Sequence, residues 1–280
     1  MKKTLLVTAS LTLISTMLSP FMSNQAQAHD RWILPSHFNV SADTGKGVWI
    51  TSDVSASNQV FIYDKPFGSE DVQIVMPDGK LASPSSSYKG GRKSVFDYKL
   101  TQDGTYRFEK KTKPKYYSRY KVKGQDKPVR VAMDKQATRA VMPKEGYELQ
   151  GAMYFSRVES YVTLNKPNYM AYQVNNEYLE LQPVTHPANI IENEVTEINF
   201  LFHGKPVEGV TVSVVKSGTL YRNKINAIEL VSDKAGSISF TPPSAGLYLL
   251  HASLEQVNTD TRLADKSVNE IFLTFEAGLE

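Results

Sequence analysis

Short runs of β-branched and aromatic residues, each closed off by Gly, Pro, Asn or Asp, recur from residue 48 to residue 275, and no apolar repeat at helical spacing is sustained anywhere. This restricts the chain to an all-β fold of sheets packed face to face, because a strand must bury its apolar side against another layer. In the first half, Val48-Trp49-Ile50, Val60-Phe61-Ile62, Val72-Gln73-Ile74-Val75-Met76, Ser94-Val95-Phe96-Asp97-Tyr98 and Thr105-Tyr106-Arg107-Phe108 are expected strands. Pro77-Asp78-Gly79-Lys80 and Gln102-Asp103-Gly104 supply turns, where Gly tolerates positive φ. Ser83 to Gly91 reads as a mobile loop.

Between Asp126 and Gly146 the pattern weakens, with Pro128 and Pro143 and room for a short helix. Strands resume at Ala152 to Phe155, Glu159 to Leu164 and Tyr178 to Leu181. The last hundred or so residues, from Glu197-Ile198-Asn199-Phe200 to Ile271-Phe272-Leu273-Thr274-Phe275, have the strand number and spacing of an immunoglobulin-like sandwich. The expected organisation is therefore a leader over 1–28, an N-terminal β-sandwich over 29–125, a connector with bridging strands over 126–187, and a C-terminal immunoglobulin-like β-sandwich over 188–280.

The leader rests on Lys2-Lys3, a largely apolar stretch from Leu5 to Met22, and the small-x-small box Ala26-Gln27-Ala28, the signature of a cleaved export signal and a periplasmic destination. No later segment reaches the roughly 18 apolar residues of a membrane span, so none is expected. The absence of cysteine excludes disulfides, thiolate metal sites and cysteine nucleophiles. Loss of Lys2 and Lys3 lowers the formal charge from +3 to about +1, which offers no basis for a nucleic-acid partner.

Five segments resemble a family of poorly characterised bacterial periplasmic proteins: His29-Asp30-Arg31-Trp32-Ile33-Leu34-Pro35-Ser36; Ser57-Asn58 with Phe61 and Asp64 to Pro66; Arg157-Val158-Glu159-Ser160-Tyr161-Val162-Thr163; Pro183-Val184-Thr185-His186-Pro187; and Gly204-Lys205-Pro206-Val207-Glu208-Gly209. The family carries a domain of unknown function and is associated with nickel or cobalt uptake and with outer-membrane metal or siderophore receptors. The resemblance implies a role in metal uptake. It also marks a departure, since relatives often place a histidine where Lys65 stands.

Cleavage after Ala28 would make His29 the mature amino terminus. A terminal histidine presents a metal with its α-amine, whose pKa near 8 lets it lose a proton readily, and with its ring Nδ1. The third mature residue is Arg31, which rules out the amino-terminal copper/nickel motif that needs histidine there. His186, in a rigid turn within a segment shared with the family, is the first choice for a second ligand, with Asp30 and His37 behind it. Copper or nickel suits such amine and imidazole donors; cobalt or chelated iron fits the family's surroundings. His203 reads as a loop residue and His251 as a satisfied strand histidine.

Lys110 to Lys121 interleaves cations with aromatics, and Lys111, Lys113, Lys115, Tyr116, Tyr117 and Arg119 are candidate partner-binding residues. Arg157, Glu159 and Tyr161 share one face of a strand and read as a structural ion pair. There is no nucleophile elbow, His-Glu-x-x-His, phosphate loop or dinucleotide fingerprint, so no enzyme is expected. Two readings stand: a periplasmic accessory for metal or metal-chelate uptake, or an interaction module docking to an envelope receptor or transporter component without a metal of its own.

Overall fold

The computed structural model describes residues 29–43 and 45–280; the leader expected over 1–28 lies outside them. The chain folds into three sheets. The first joins Asp30–Pro35, Val48–Ser57, Ser94–Leu100 and Ser86–Lys89, with Lys65–Pro66 paired to Val48–Ser57. The second, of eleven strands, runs Ile228–Val231, Thr211–Lys216, Gly246–Val257, Lys266–Ala277, Gly146–Leu164, Gly104–Lys111, Gln73–Val75, Leu81–Ala82, with Lys115–Val122 and Asn39–Val40 also paired to Gly146–Leu164 and Val129–Val131 paired to Lys115–Val122. The third holds Leu179–Pro183, Thr196–Phe202, Lys205–Pro206 and Ser237–Phe240.

The large sheet is a wall common to both sandwiches. Strand alternation sends Val158, Val162, Leu249 and Phe272 into one core with Trp32, Ile50, Phe96 and Phe108. Their neighbours Tyr161, Leu250, Ile271 and Leu273 enter the other core with Leu181, Phe200 and Val212. The C-terminal sandwich is immunoglobulin-like: the third sheet packs on Thr211–Lys216, Gly246–Val257 and Lys266–Ala277.

Gly146–Leu164, nineteen residues long, is the spine. On one edge it pairs in parallel with Lys266–Ala277 over residues 152–160. On the other it pairs antiparallel first with Lys115–Val122 and then with Gly104–Lys111. A parallel pair cannot be closed by a tight turn, and here the connection is nearly the whole C-terminal sandwich. Leu179–Pro183, read from the sequence as part of the bridging segment, is hydrogen-bonded to Thr196–Phe202 and belongs to that sandwich.

Two local expectations are corrected. Val60-Phe61-Ile62 is a turn: Val60 enters the core, and Phe61 takes φ 59° so that its ring meets the edge of Trp32 at 5.7 Å. The expected loop contains the strand Ser86–Lys89, exposed along its length and therefore without the apolar alternation that reveals a strand. The helix of the connector is Lys135–Val141, started by Asp134, whose carboxylate accepts the Ala137 N–H at 2.7 Å.

Candidate functional site

The segment that follows the expected cleavage box is held by its apolar residues. Asp30–Pro35 pairs with Val48–Ser57, placing Asp30 opposite Ser57, while Trp32 and Ile33 are fully buried. This lays Asp30 and Arg31 over the large sheet where Gly246–Val257 and Lys266–Ala277 run side by side. His251 and Phe272 are cross-strand partners there, their rings stacked at 4.3 Å and 16°.

A polar cluster results. His251 Nδ1 lies 3.5 Å from Asp30 Oδ1, and its Nε2 lies 3.4 Å from Glu270 Oε1. Arg31 Nη1 is 3.4 Å from Glu270 Oε2, with its guanidinium 5.4 Å above Phe272 and 5.7 Å from Phe67. Burial raises the Asp30 pKa despite the opposing pull of His251. Burial also works to raise Glu270, but the His251 hydrogen bond and charge, joined by Arg31, outweigh it and hold that carboxyl below its ordinary value. The two carboxyls on one imidazole are thus driven in opposite directions.

His29 stands beside this cluster. Its Nε2 is 3.1 Å from Lys65 Nζ and 4.0 Å from Asp64 Oδ2. Lysine ammonium only donates, so this contact makes Nε2 the acceptor and leaves the ring proton on Nδ1. A metal on Nδ1 requires the opposite tautomer, with an Nε2–H that Asp64 is placed to receive. Lys65 therefore competes with any ligand taken at Nδ1.

His186 has other work. It is buried, its Nδ1 accepts the Ala188 N–H at 3.0 Å, and its Nε2 faces the Asn168 carbonyl at 3.2 Å and Thr105 Oγ1 at 3.1 Å. Nε2 thus carries the proton, and neither nitrogen has a lone pair to spare. Thr105 and its partner Thr163 are on the face of the sheet opposite Val158 and Phe272, so His186 and the Asp30–His251 cluster are separated by the sheet. The expected His29–His186 pairing is not assembled. His37 is no substitute: it is exposed beyond the far end of Asp30–Pro35, beside Ser36 Oγ at 3.2 Å. His203 occupies a left-handed turn with φ 50° and packs on Phe202. Among the described residues, no three His or acidic side chains form a ready metal cage.

The sequence passed over His251 and Glu270 because each looks like an ordinary strand residue. Only the register of two strands and the path of a third bring them to Asp30. The same holds for Glu109 and Glu180, which meet the Arg157 guanidinium at 2.8 Å and 3.3 Å, whereas Glu159, at 3.5 Å, is the partner expected from the strand's alternation. Arg107 reaches Glu109 at 3.4 Å, and the Tyr161 hydroxyl donates to Glu159 at 3.0 Å. This network lies between sheets, its guanidinium groups and carboxylates almost wholly buried.

The basic-aromatic candidates divide between two faces. Lys115, Tyr117 and Arg119 point outward, with Tyr117 set edge-on to Tyr154 at 5.7 Å. Tyr116 turns inward against Met153 and Phe155. Lys111 is taken by Glu177 at 3.1 Å and Glu109 at 3.7 Å, while Lys113 is exposed at the turn between strands. An open depression of about 290 Å³ is lined by Leu34, Ser36, His37, Phe38, Leu247 and Glu276.

Sheets stacked in this way, with their polar clusters on strand surfaces, define an immunoglobulin-like β-sandwich protein. The family described as domain of unknown function DUF4198 matches residues 26–256, and the chain belongs to that family. No curated protein matches it. Among solved structures it is similar to the D0-D1 domain of intimin, at 12% identity over 88% of this chain and 97% of that one, with a TM-score of 0.23. It is also similar to the FN1–FN3 domains of chicken CNTN1, at 8% identity over 88% of this chain and 98% of that one, with a TM-score of 0.20. Likeness at that level carries no argument, and the architecture rests on the strand pairings themselves.

Proposed function

We propose that this protein is a non-enzymatic periplasmic accessory for the uptake of a transition metal or its chelate, binding through His29, Asp30 and His251. The observation that carries the proposal is the delivery of the residues after the expected cleavage box onto His251 and Glu270. The α-amine and Nδ1 of a terminal His29 would supply nitrogen donors, and His251 Nδ1 with Asp30 a second pair. A cation would also relieve the burial that opposes ionisation of Asp30. Copper or nickel suits this donor set best. The role in nickel or cobalt uptake that the sequence resemblance implies would agree with this choice.

Calorimetric titration of protein beginning at His29 tests it, since an added residue would block the amine. We expect binding tighter than about micromolar, strong loss in His29→Ala and His251→Ala, and about fivefold tighter binding in Lys65→Ala, where the competing hydrogen bond is gone. No binding, or binding indifferent to both histidines, overturns the assignment.

A further inference from the structure

Residues 110–150 carry twelve Lys and Arg against four Asp and Glu, an excess of +8 in a chain whose formal total is +3, which leaves −5 for everything else. They form one projection: Lys115–Val122 and Val129–Val131, the helix Lys135–Val141, and the outer part of Gly146–Leu164. Four cations are neutralised, Lys110 by Asp71, Lys111 by Glu177, Lys121 by Glu148 and Lys135 by Asp265. The other eight are exposed and have no ion-pair partner within 4.0 Å among the described residues. Lys123 and Lys127 flank the turn at its tip.

One pair is placed against its own electrostatics. Arg119 and Arg130 are directly opposite each other on adjacent antiparallel strands, both exposed. Like charges so placed destabilise a sheet. Arg119 is held there by two hydrogen bonds to Gln150 Oε1, at 2.9 and 2.7 Å. A bound anion would remove the repulsion. Exposed Tyr117, Tyr147 and Tyr154 lie among these cations, and amphipathic rings beside flexible cations suit a membrane interface. The composition decides between partners: lysine is depleted in protein interfaces, and five of the eight free cations are exposed lysines spread along the arm from Lys113 to Lys144. We propose that this arm docks on an anionic lipid surface, its cations contacting headgroup phosphates and its tyrosines resting at headgroup level.

Co-sedimentation of the full mature chain with phosphatidylcholine vesicles containing phosphatidylglycerol, and with pure phosphatidylcholine vesicles, tests the proposal. Binding is expected only to the anionic vesicles and should weaken as salt rises. Each removed cation should cost about fivefold in partitioning, so Lys123→Ser with Lys127→Ser should lose about 25-fold. Arg130→Thr should weaken binding while leaving Tm equal or higher, which a merely structural arginine would not do. Equal binding to neutral vesicles, or indifference to these substitutions, overturns the proposal. So does capture of soluble polyglutamate or inorganic phosphate in place of vesicles, which would assign the arm to an acidic protein or a free anion.

Discussion

A histidine with both ring nitrogens engaged is a structural part, and His186 behaves as one. Burial pulls its pKa below the ordinary value, opposed by its bond to the Asn168 carbonyl. The unfolded chain takes up this proton near pH 6.5, the folded one only at lower pH. The contribution of the neutral ring is therefore complete above about pH 6.5 and is lost as pH falls towards the folded pKa. His186→Asn, which keeps an acceptor for the Ala188 N–H, should flatten the decline of Tm below about pH 6.5. His186→Ala should cost about 1–3 kcal/mol by orphaning buried partners. An unchanged pH profile in the Asn variant would place the acid sensitivity elsewhere. The Thr185-His186-Pro187 turn was legible in the sequence. What the imidazole does there was not, since its partners Thr105 and Asn168 lie far away along the chain.

Along the spine strand, alternation had already put Arg157, Glu159 and Tyr161 on one face. Glu109 and Glu180 come from other strands, and no local pattern announces their distant pairings with Arg157. Removing the shared cation should be severe: Arg157→Met leaves three buried carboxyls around an apolar chain, at about 3–5 kcal/mol. Glu159→Gln should cost less than about 1.5 kcal/mol. Burial raises the pKa of this carboxyl against the pull of Arg107 and Arg157, and the amide keeps an oxygen for the Tyr161 hydroxyl. Urea unfolding of both variants checks the order, and equal losses would mean that the network does not centre on Arg157. The edge strand Ser86–Lys89 escaped for a different reason: it buries nothing and has no periodicity to read.

Over the whole molecule, two β-rich halves were visible from the spacing of their strands, but the wall between them was not. Its central parallel pairing joins residues 152–160 to 266–274, more than a hundred positions apart. The molecule should therefore unfold in one cooperative transition, with calorimetric and van't Hoff enthalpies equal. A fragment of residues 188–280 should fail to fold, because it lacks Leu179–Pro183 and the flank supplied by Gly146–Leu164. Two resolved transitions would show that the sandwiches hold together independently.

The same wall sets an order of events in time. Phe272, on the last strand, fills the core laid down by Trp32, Ile50 and Phe96 near the start. A ribosome delivers those residues well before Phe272, so the first core must wait, unclosed, for the strands of the C-terminal sandwich. Contacts of such long sequence separation also form slowly. Until that strand is in place, the apolar faces of Trp32, Ile50 and Phe96 lack part of the wall that covers them.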